Sequence, residues 1–159
     1  MGAGATIRVG PGTFEGADVD VPGVRIMGVD GASTITGGLK VVADDVVISG
    51  LAITGRETAY QGGVTVDRAR GVVISGNRMA GNSFGIYLID ARDALVERNH
   101  VTDNAYGIEV HGDADGIVIR GNDIVENDRP LDDARAAGGL NLYLTSGAMV
   151  IADQPVQWQ

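Results

Sequence analysis

Between Gly63 and Asn127 the chain sets apolar and polar residues in short alternating bursts, and the bursts recur. Val64, Val66, Val72, Ile74 and Met79 are followed by Ile86, Leu88, Ala94, Val96 and Val101, then by Ile108, Val110, Ile117, Ile119 and Ile124. Within a burst the apolar residues stand two apart, the period of a strand whose side chains alternate between faces. Glycines interrupt each run before a helical face of roughly 10 residues can form. The punctuation repeats as well. Gly63, Gly85 and Gly107 are spaced by 22 and 22, while Asn77, Asn99 and Asn122, like Asn82, Asn104 and Asn127, are spaced by 22 and 23. Self-similarity at a fixed period of this size marks a repeat architecture. Three short strands in each repeat of about 22 residues predict an all-β solenoid, a right-handed parallel β-helix of about six rungs. Leucine-rich repeats have a similar length, but their LxxLxLxxN signature is missing.

In such a solenoid like residues stack on like, so Val, Ile and Leu form core columns. Each asparagine falls at a turn after an apolar strand. There its amide can bond the asparagine of the neighbouring rung, and Asn tolerates the left-handed backbone that turns demand. Both series are therefore expected to be structural ladders.

The expected organisation is one domain over residues 1–159. Residues 1–38 are irregular first rungs (TIRVGPGTF, then DVDVPGVRIMG), residues 39–127 are regular rungs, and residues 140–159 are a last degraded rung. Two segments lengthen the same corner: Arg56 to Gly62, and the insertion at 128–139. Insertions in repeat proteins gather on one side, often the binding side. Neither end shows an amphipathic cap beyond what Trp158 could cover, so the solenoid ends are candidate contacts to a second copy or to the rest of a longer parent chain.

Composition narrows the function classes. The net charge of -9 argues against a general nucleic-acid or anionic-membrane binder. Cysteine is absent, which removes disulfides and thiolate chemistry. No apolar run approaches the roughly 18 residues of a membrane span. The start, MGAGATIRV, lacks the layout of a signal peptide.

The outward positions of the first strand carry the most varied chemistry. One row reads Lys40, Thr65, Tyr87, Glu109 and Asn141; a parallel row reads Asp67, Ile89, His111 and Tyr143. Glu109 and His111 stand two apart on one strand and so share a face, with Tyr87 and Asn141 as neighbours one rung either side. A carboxylate, an imidazole and a phenol together suit proton abstraction and donation. Asp90, Asp93, Asp113 and Asp115 lie in adjacent turns, where converging carboxylates could hold Ca²⁺; Asp is equally an ordinary turn residue. Otherwise no cofactor is indicated. His100 is expected to be a solvated residue.

The phrases TIRVGPGTF and VRIMGVDGASTITG, followed by rungs of the form GIxLxxxxxxxVxxNxxxxN, resemble the pectate-lyase-like β-helix superfamily. The similarity in style is to its carbohydrate-binding and sugar-hydrolase repeat group, with NosD-type periplasmic proteins and mannuronan C5-epimerases. That resemblance implies a polysaccharide or oligosaccharide lying along the face of one parallel sheet, and a location outside the cytoplasm. Tyr106-Gly-Ile-Glu-Val-His111 is similar to the Y-x-x-D-x-H pattern of the epimerases, which would place Tyr106, Glu109 and His111 on catalytic positions, although Glu replaces Asp and Val replaces the usual Pro. A lyase would be expected to use Ca²⁺ or a basic residue; Lys40, the single lysine, is expected two rungs from Glu109. These lines make Glu109, His111 and Tyr87 the candidate catalytic residues. Lys40, Thr65, Asp67, Tyr106, Asn141 and Tyr143 are the candidate substrate-binding residues. The alternative is a non-catalytic structural or oligomerisation module, which the short groove favours: about six rungs at roughly 4.8 Å span some 30 Å.

Overall fold

The computed structural model describes residues 4–55, 62–127, 140–146 and 149–152, the last two stretches through their backbone pairing. Among these residues every regular element is a strand, and no helix is long and apolar enough to cross a membrane. The chain winds through three faces per coil, as the three bursts per repeat predict. The second face stacks β1 (Thr6–Arg8), β3 (Arg25–Met27), β5 (Val47–Ser49), β8 (Val73–Ser75), β11 (Leu95–Glu97), β14 (Ile117–Arg120) and β17 (Met149–Ala152), all parallel.

The other two faces are joined through long strands in the early coils. The first face stacks the later part of β2 (Gly12–Val19), the later part of β4 (Ser33–Val41), β7 (Gly62–Asp67), β10 (Phe84–Ile89), β13 (Tyr106–Asp113) and β16 (Leu140–Ser146). The third face stacks the early parts of β2 and β4 on β6 (Ala52–Thr54), β9 (Arg78–Ala80), β12 (His100–Thr102) and β15 (Asp123–Val125). Because β4 pairs β6 through Thr34–Thr36 and β7 through Leu39–Val41, it runs across the boundary expected between residues 38 and 39. The segments expected as irregular first rungs are parallel strands, with a register shift between Glu15 and Ala17 where β2 pairs β4.

The inward residues named from the sequence pattern, with Ile26, Leu39 and Ile48 of the earlier coils, form the core columns. Ile26, Ile48, Ile74, Val96 and Ile119 follow one another in register, and Leu39, Val64, Ile86 and Ile108 do the same on the first face. All are buried. Each such Val, Leu or Ile contributes about 1.5–3 kcal/mol of transfer free energy.

Both asparagine series are ladders. The Oδ1 of Asn77, Asn99 and Asn122 accepts the backbone N–H of Leu51, Asn77 and Asn99, at 3.1, 3.0 and 3.0 Å. Their Nδ2 groups donate to the carbonyls of Ile48, Ile74 and Val96. Asn82, Asn104 and Asn127 repeat the arrangement at the next corner, donating to Ile53, Met79 and Val101. The left-handed backbone sits elsewhere than expected. It is the residue before each ladder asparagine that has positive φ: Gly76, Arg98 and Gly121 in one column, Gly81, Asp103 and Glu126 in the other. The asparagine is reserved for bonding, which requires its amide to point inward.

The opening glycines have a different cause, close approach between coils. A Cβ on Gly63 would stand 2.9 Å from the Gly85 carbonyl oxygen, and one on Gly85 would stand 2.7 Å from that of Gly107 and 2.4 Å from Val101 Cγ1. That spacing is below any tolerable contact, so the 22-residue glycine period reads out the coil-to-coil distance.

Candidate functional site

The parallel register assembles both outward rows. Lys40 pairs Thr65, Thr65 pairs Tyr87, Tyr87 pairs Glu109 and Glu109 pairs Asn141. Asp67, Ile89, His111 and Tyr143 are likewise consecutive. Lys40 is thus three strands from Glu109, not two, because Thr65 and Tyr87 both intervene. Asn141 and Tyr143 are placed here by backbone pairing alone. The second corner insertion, 128–139, and Trp158 lie outside the described residues, as does Arg56 to Gln61 of the first.

The strip is not the open groove that its polar character suggested. Thr65, Tyr87 and Glu109 are only 2%, 5% and 7% exposed. Thr65 Oγ1 accepts the Gly62 N–H at 2.7 Å, tying it to the start of its own strand and away from a binding surface. Tyr87 packs its ring on Phe84, 4.7 Å between centroids and 22° from parallel, and Phe84 stacks on Tyr106 at 5.0 Å and 19°. The three rings form an aromatic ladder along the start of the face, an attractive arrangement when the rings are offset. Tyr106, expected at a catalytic position by resemblance, is a member of this ladder, in register with Phe84. Phe84 was visible in the sequence only as the residue aligned with Tyr106.

Glu109 and His111 share a face as the two-residue spacing requires, with His111 Nδ1 3.8 Å from Glu109 Oε1. Burial pushes the Glu109 carboxyl above its ordinary pKa, and the His111 imidazole opposes that shift. His111 is half exposed, so one member of the pair reaches solvent and the other does not. A carboxyl that holds its proton more tightly than usual beside an imidazole has the makings of a proton-transfer pair.

Asp67 behaves oppositely. The Arg68 guanidinium holds its carboxyl below the usual range, at 2.9 Å from Nε, against the effect of burial and with help from Lys40 at 3.6 Å. On the second face Glu97 is held low by Arg98 and Arg120, which contact its two oxygens at 2.6 and 2.8 Å. His100 is partly exposed but not merely solvated: its Nδ1 lies 2.8 Å from Asp123 Oδ2.

The turn acids do not converge as a calcium site would require. Asp93 pairs with Arg70 at 3.2 Å, Asp113 pairs with Arg92, and Asp90 Oδ1 accepts the Asp113 N–H at 2.8 Å. Among the described residues no group of three or more His, Asp or Glu side chains comes together to hold a metal ion. The arginines between these acids lie one period apart, Arg70 and Arg92, and sequence reading passed over them although their spacing of 22 equals the repeat.

The right-handed β-helix region family matches residues 14–154, and the chain belongs to it. A solved structure with the same fold is that of a pectin methylesterase in complex with a hexasaccharide, with a TM-score of 0.56 at 10% identity. The match covers 98% of this chain and 59% of the other, so this chain spans about three-fifths of that protein's length. No sequence among curated proteins matches.

Proposed function

We infer that this is a carbohydrate-directed β-helix protein, which binds or modifies a saccharide chain along the first-strand face. The observation that carries this reading is the Glu109–His111 pair: a buried carboxyl with its proton held tightly, 3.8 Å from a half-exposed imidazole, in register with Tyr87. If the chain is modified, His111 is the group that solvent and substrate reach. Glu109 then stands behind it as a carboxyl that holds its proton, and lyase or epimerase chemistry at a sugar carbon is the reaction class that needs such a pair. A fold shared with a protein crystallised with a hexasaccharide supports the ligand class by analogy.

A second reading rests on a specific observation. The near-complete burial of Thr65, Tyr87 and Glu109 within the single chain suits a non-catalytic structural module.

The deciding experiment is a turnover screen on uronate polysaccharides, with and without Ca²⁺, followed by absorbance of unsaturated sugar and by proton NMR. Turnover that disappears in both Glu109→Gln and His111→Ala supports the enzyme reading. Binding without turnover supports a recognition module, and neither one leaves the structural module.

A further inference from the structure

The corner between the first and second faces holds a cleft of about 420 Å³, lined by Arg68, Ala69, Arg70, Asp90, Arg92 and Asp113. Its volume falls in the range of about 300–1,000 Å³ typical of small-molecule sites. It begins where the outer row ends, since Arg68 follows Asp67 and Gly112 follows His111 in the chain.

Three guanidinium groups meet here in a chain of net charge -9. Each offers five N–H donors in a planar fork. Arg70 uses Nε on Asp93, and Arg92 uses Nη2 on Asp113. The remaining donors of these two forks meet no side-chain acceptor among the described residues. On the acceptor side, Asp90 commits Oδ1 to the Asp113 N–H. A Cβ at position 112 would lie 2.1 Å from that oxygen, so Gly112 is what allows the Asp90 carboxyl to fold over the corner.

Charge decides the ligand class. The three arginines are matched by Asp67, Asp93 and Asp113 as ion-pair partners, and Asp90 adds a further negative charge. A carboxylate or sulfate group entering the cleft would have to displace these pairs and meet the further negative charge of Asp90. Sugar hydroxyls are both donors and acceptors, so they can take the unused Arg donors and the second Asp90 oxygen with every ion pair intact.

We propose that this corner cleft is a subsite for an uncharged sugar unit, bound through its ring hydroxyls by Arg70 and Arg92 as donors and Asp90 as acceptor. The proposal rests on the carbohydrate reading above. It moves the recognition site off the buried strip and onto the corner beside His111.

The test is calorimetric titration of the whole chain with a neutral hexasaccharide (cellohexaose, then mannohexaose) and with hexagalacturonate. Wild type is compared with Arg70→Gln, Arg92→Gln, Asp90→Asn and Arg78→Gln, each first checked by thermal melting. The expected result is binding of a neutral hexamer that is insensitive to salt. It should weaken at least about tenfold in the folded Arg92→Gln and Asp90→Asn proteins and be kept by Arg78→Gln, an exposed arginine on the third face, about tenfold being the effect of losing one charge-assisted hydrogen bond. Should an arginine variant fail to fold, Asp90→Asn alone decides. Neutral-hexamer binding unchanged in the corner variants, or binding of hexagalacturonate alone, overturns the subsite while leaving the carbohydrate reading in place. Absence of binding to all three glycans overturns both.

Discussion

The Asn99 side-chain amide lies directly against that of Asn122, its Nδ2 donating to Oδ1 at 2.9 Å while its own Oδ1 accepts the Asn77 N–H at 3.0 Å. A single buried side chain therefore connects three successive coils, with a further bond to the Ile74 carbonyl. Asn99→Ala leaves several of these groups without partners, and each orphan costs about 1–3 kcal/mol. We expect a loss of about 3 kcal/mol in urea unfolding, with Asn99→Asp also destabilised because it cannot donate to Ile74. A loss below about 0.5 kcal/mol, the level of an ordinary surface change, would contradict the ladder's energetic role.

Two backbone substitutions should move stability in opposite directions. Gly85→Ala places a Cβ 2.4 Å from Val101 Cγ1 and 2.7 Å from the Gly107 carbonyl oxygen. Overpacking of this kind costs about 1–3 kcal/mol. Glu126 is exposed and holds φ at 54°, in a column that elsewhere includes Gly55 and Gly81. Glu126→Gly removes a strain of about 1–2 kcal/mol, offset by roughly 0.5–1 kcal/mol of extra chain entropy. Its melting temperature should rise slightly while that of Gly85→Ala falls.

Stability should respond to pH with two opposed signs. The Glu109 carboxyl is raised by burial, so the fold binds its proton more tightly than the unfolded chain does. That contribution is full below the ordinary glutamate value of 4.5 and is lost as pH rises through the higher folded value. Asp67 and Glu97 are lowered by their arginines; their contribution is present above the ordinary values of 3.8 and 4.5 and is lost as pH falls through the folded values. Denaturant midpoints from acid to neutral pH should show Glu109→Gln relatively stabilised towards neutrality. Glu97→Gln should be destabilised by about 1–2 kcal/mol at neutral pH and level with wild type in strong acid, the loss being that of charge-assisted bonds at a partly exposed site. Parallel profiles for the three proteins would contradict these assignments.

The solenoid was legible because its physics is one-dimensional. Period-two alternation assigned Val64, Ile86 and Ile108 to the inside, and the repeat length then fixed their stacking. The same alternation placed Tyr87 beside Glu109, since in a parallel β-helix register follows from repeat spacing. It could not foretell that Thr65, Tyr87 and Glu109 would be buried. Alternation tells which side of a sheet a residue faces and nothing about what covers that side. The turn acids misled for a related reason: Asp93 and Asp113 share neighbouring turns, but whether they meet a cation or Arg70 and Arg92 depends on side-chain reach around a corner. The asparagine turns were half legible. Their hydrogen-bonding role followed from their recurring place at a turn after an apolar strand, while the left-handed residue proved to be the one before, where Arg98, Asp103 and Glu126 replace glycine.

The central claim is a saccharide site at the Glu109–His111 end of the first face. The most direct measurement is an amide NMR titration of isotope-labelled protein with a mixed panel of neutral and uronate oligosaccharides. Shifts concentrated at residues 87–92 and 109–113, with those of the second-face residues 95–97 and 117–120 unmoved, are the predicted result. Shifts confined to the second face, or none with any glycan, would contradict it.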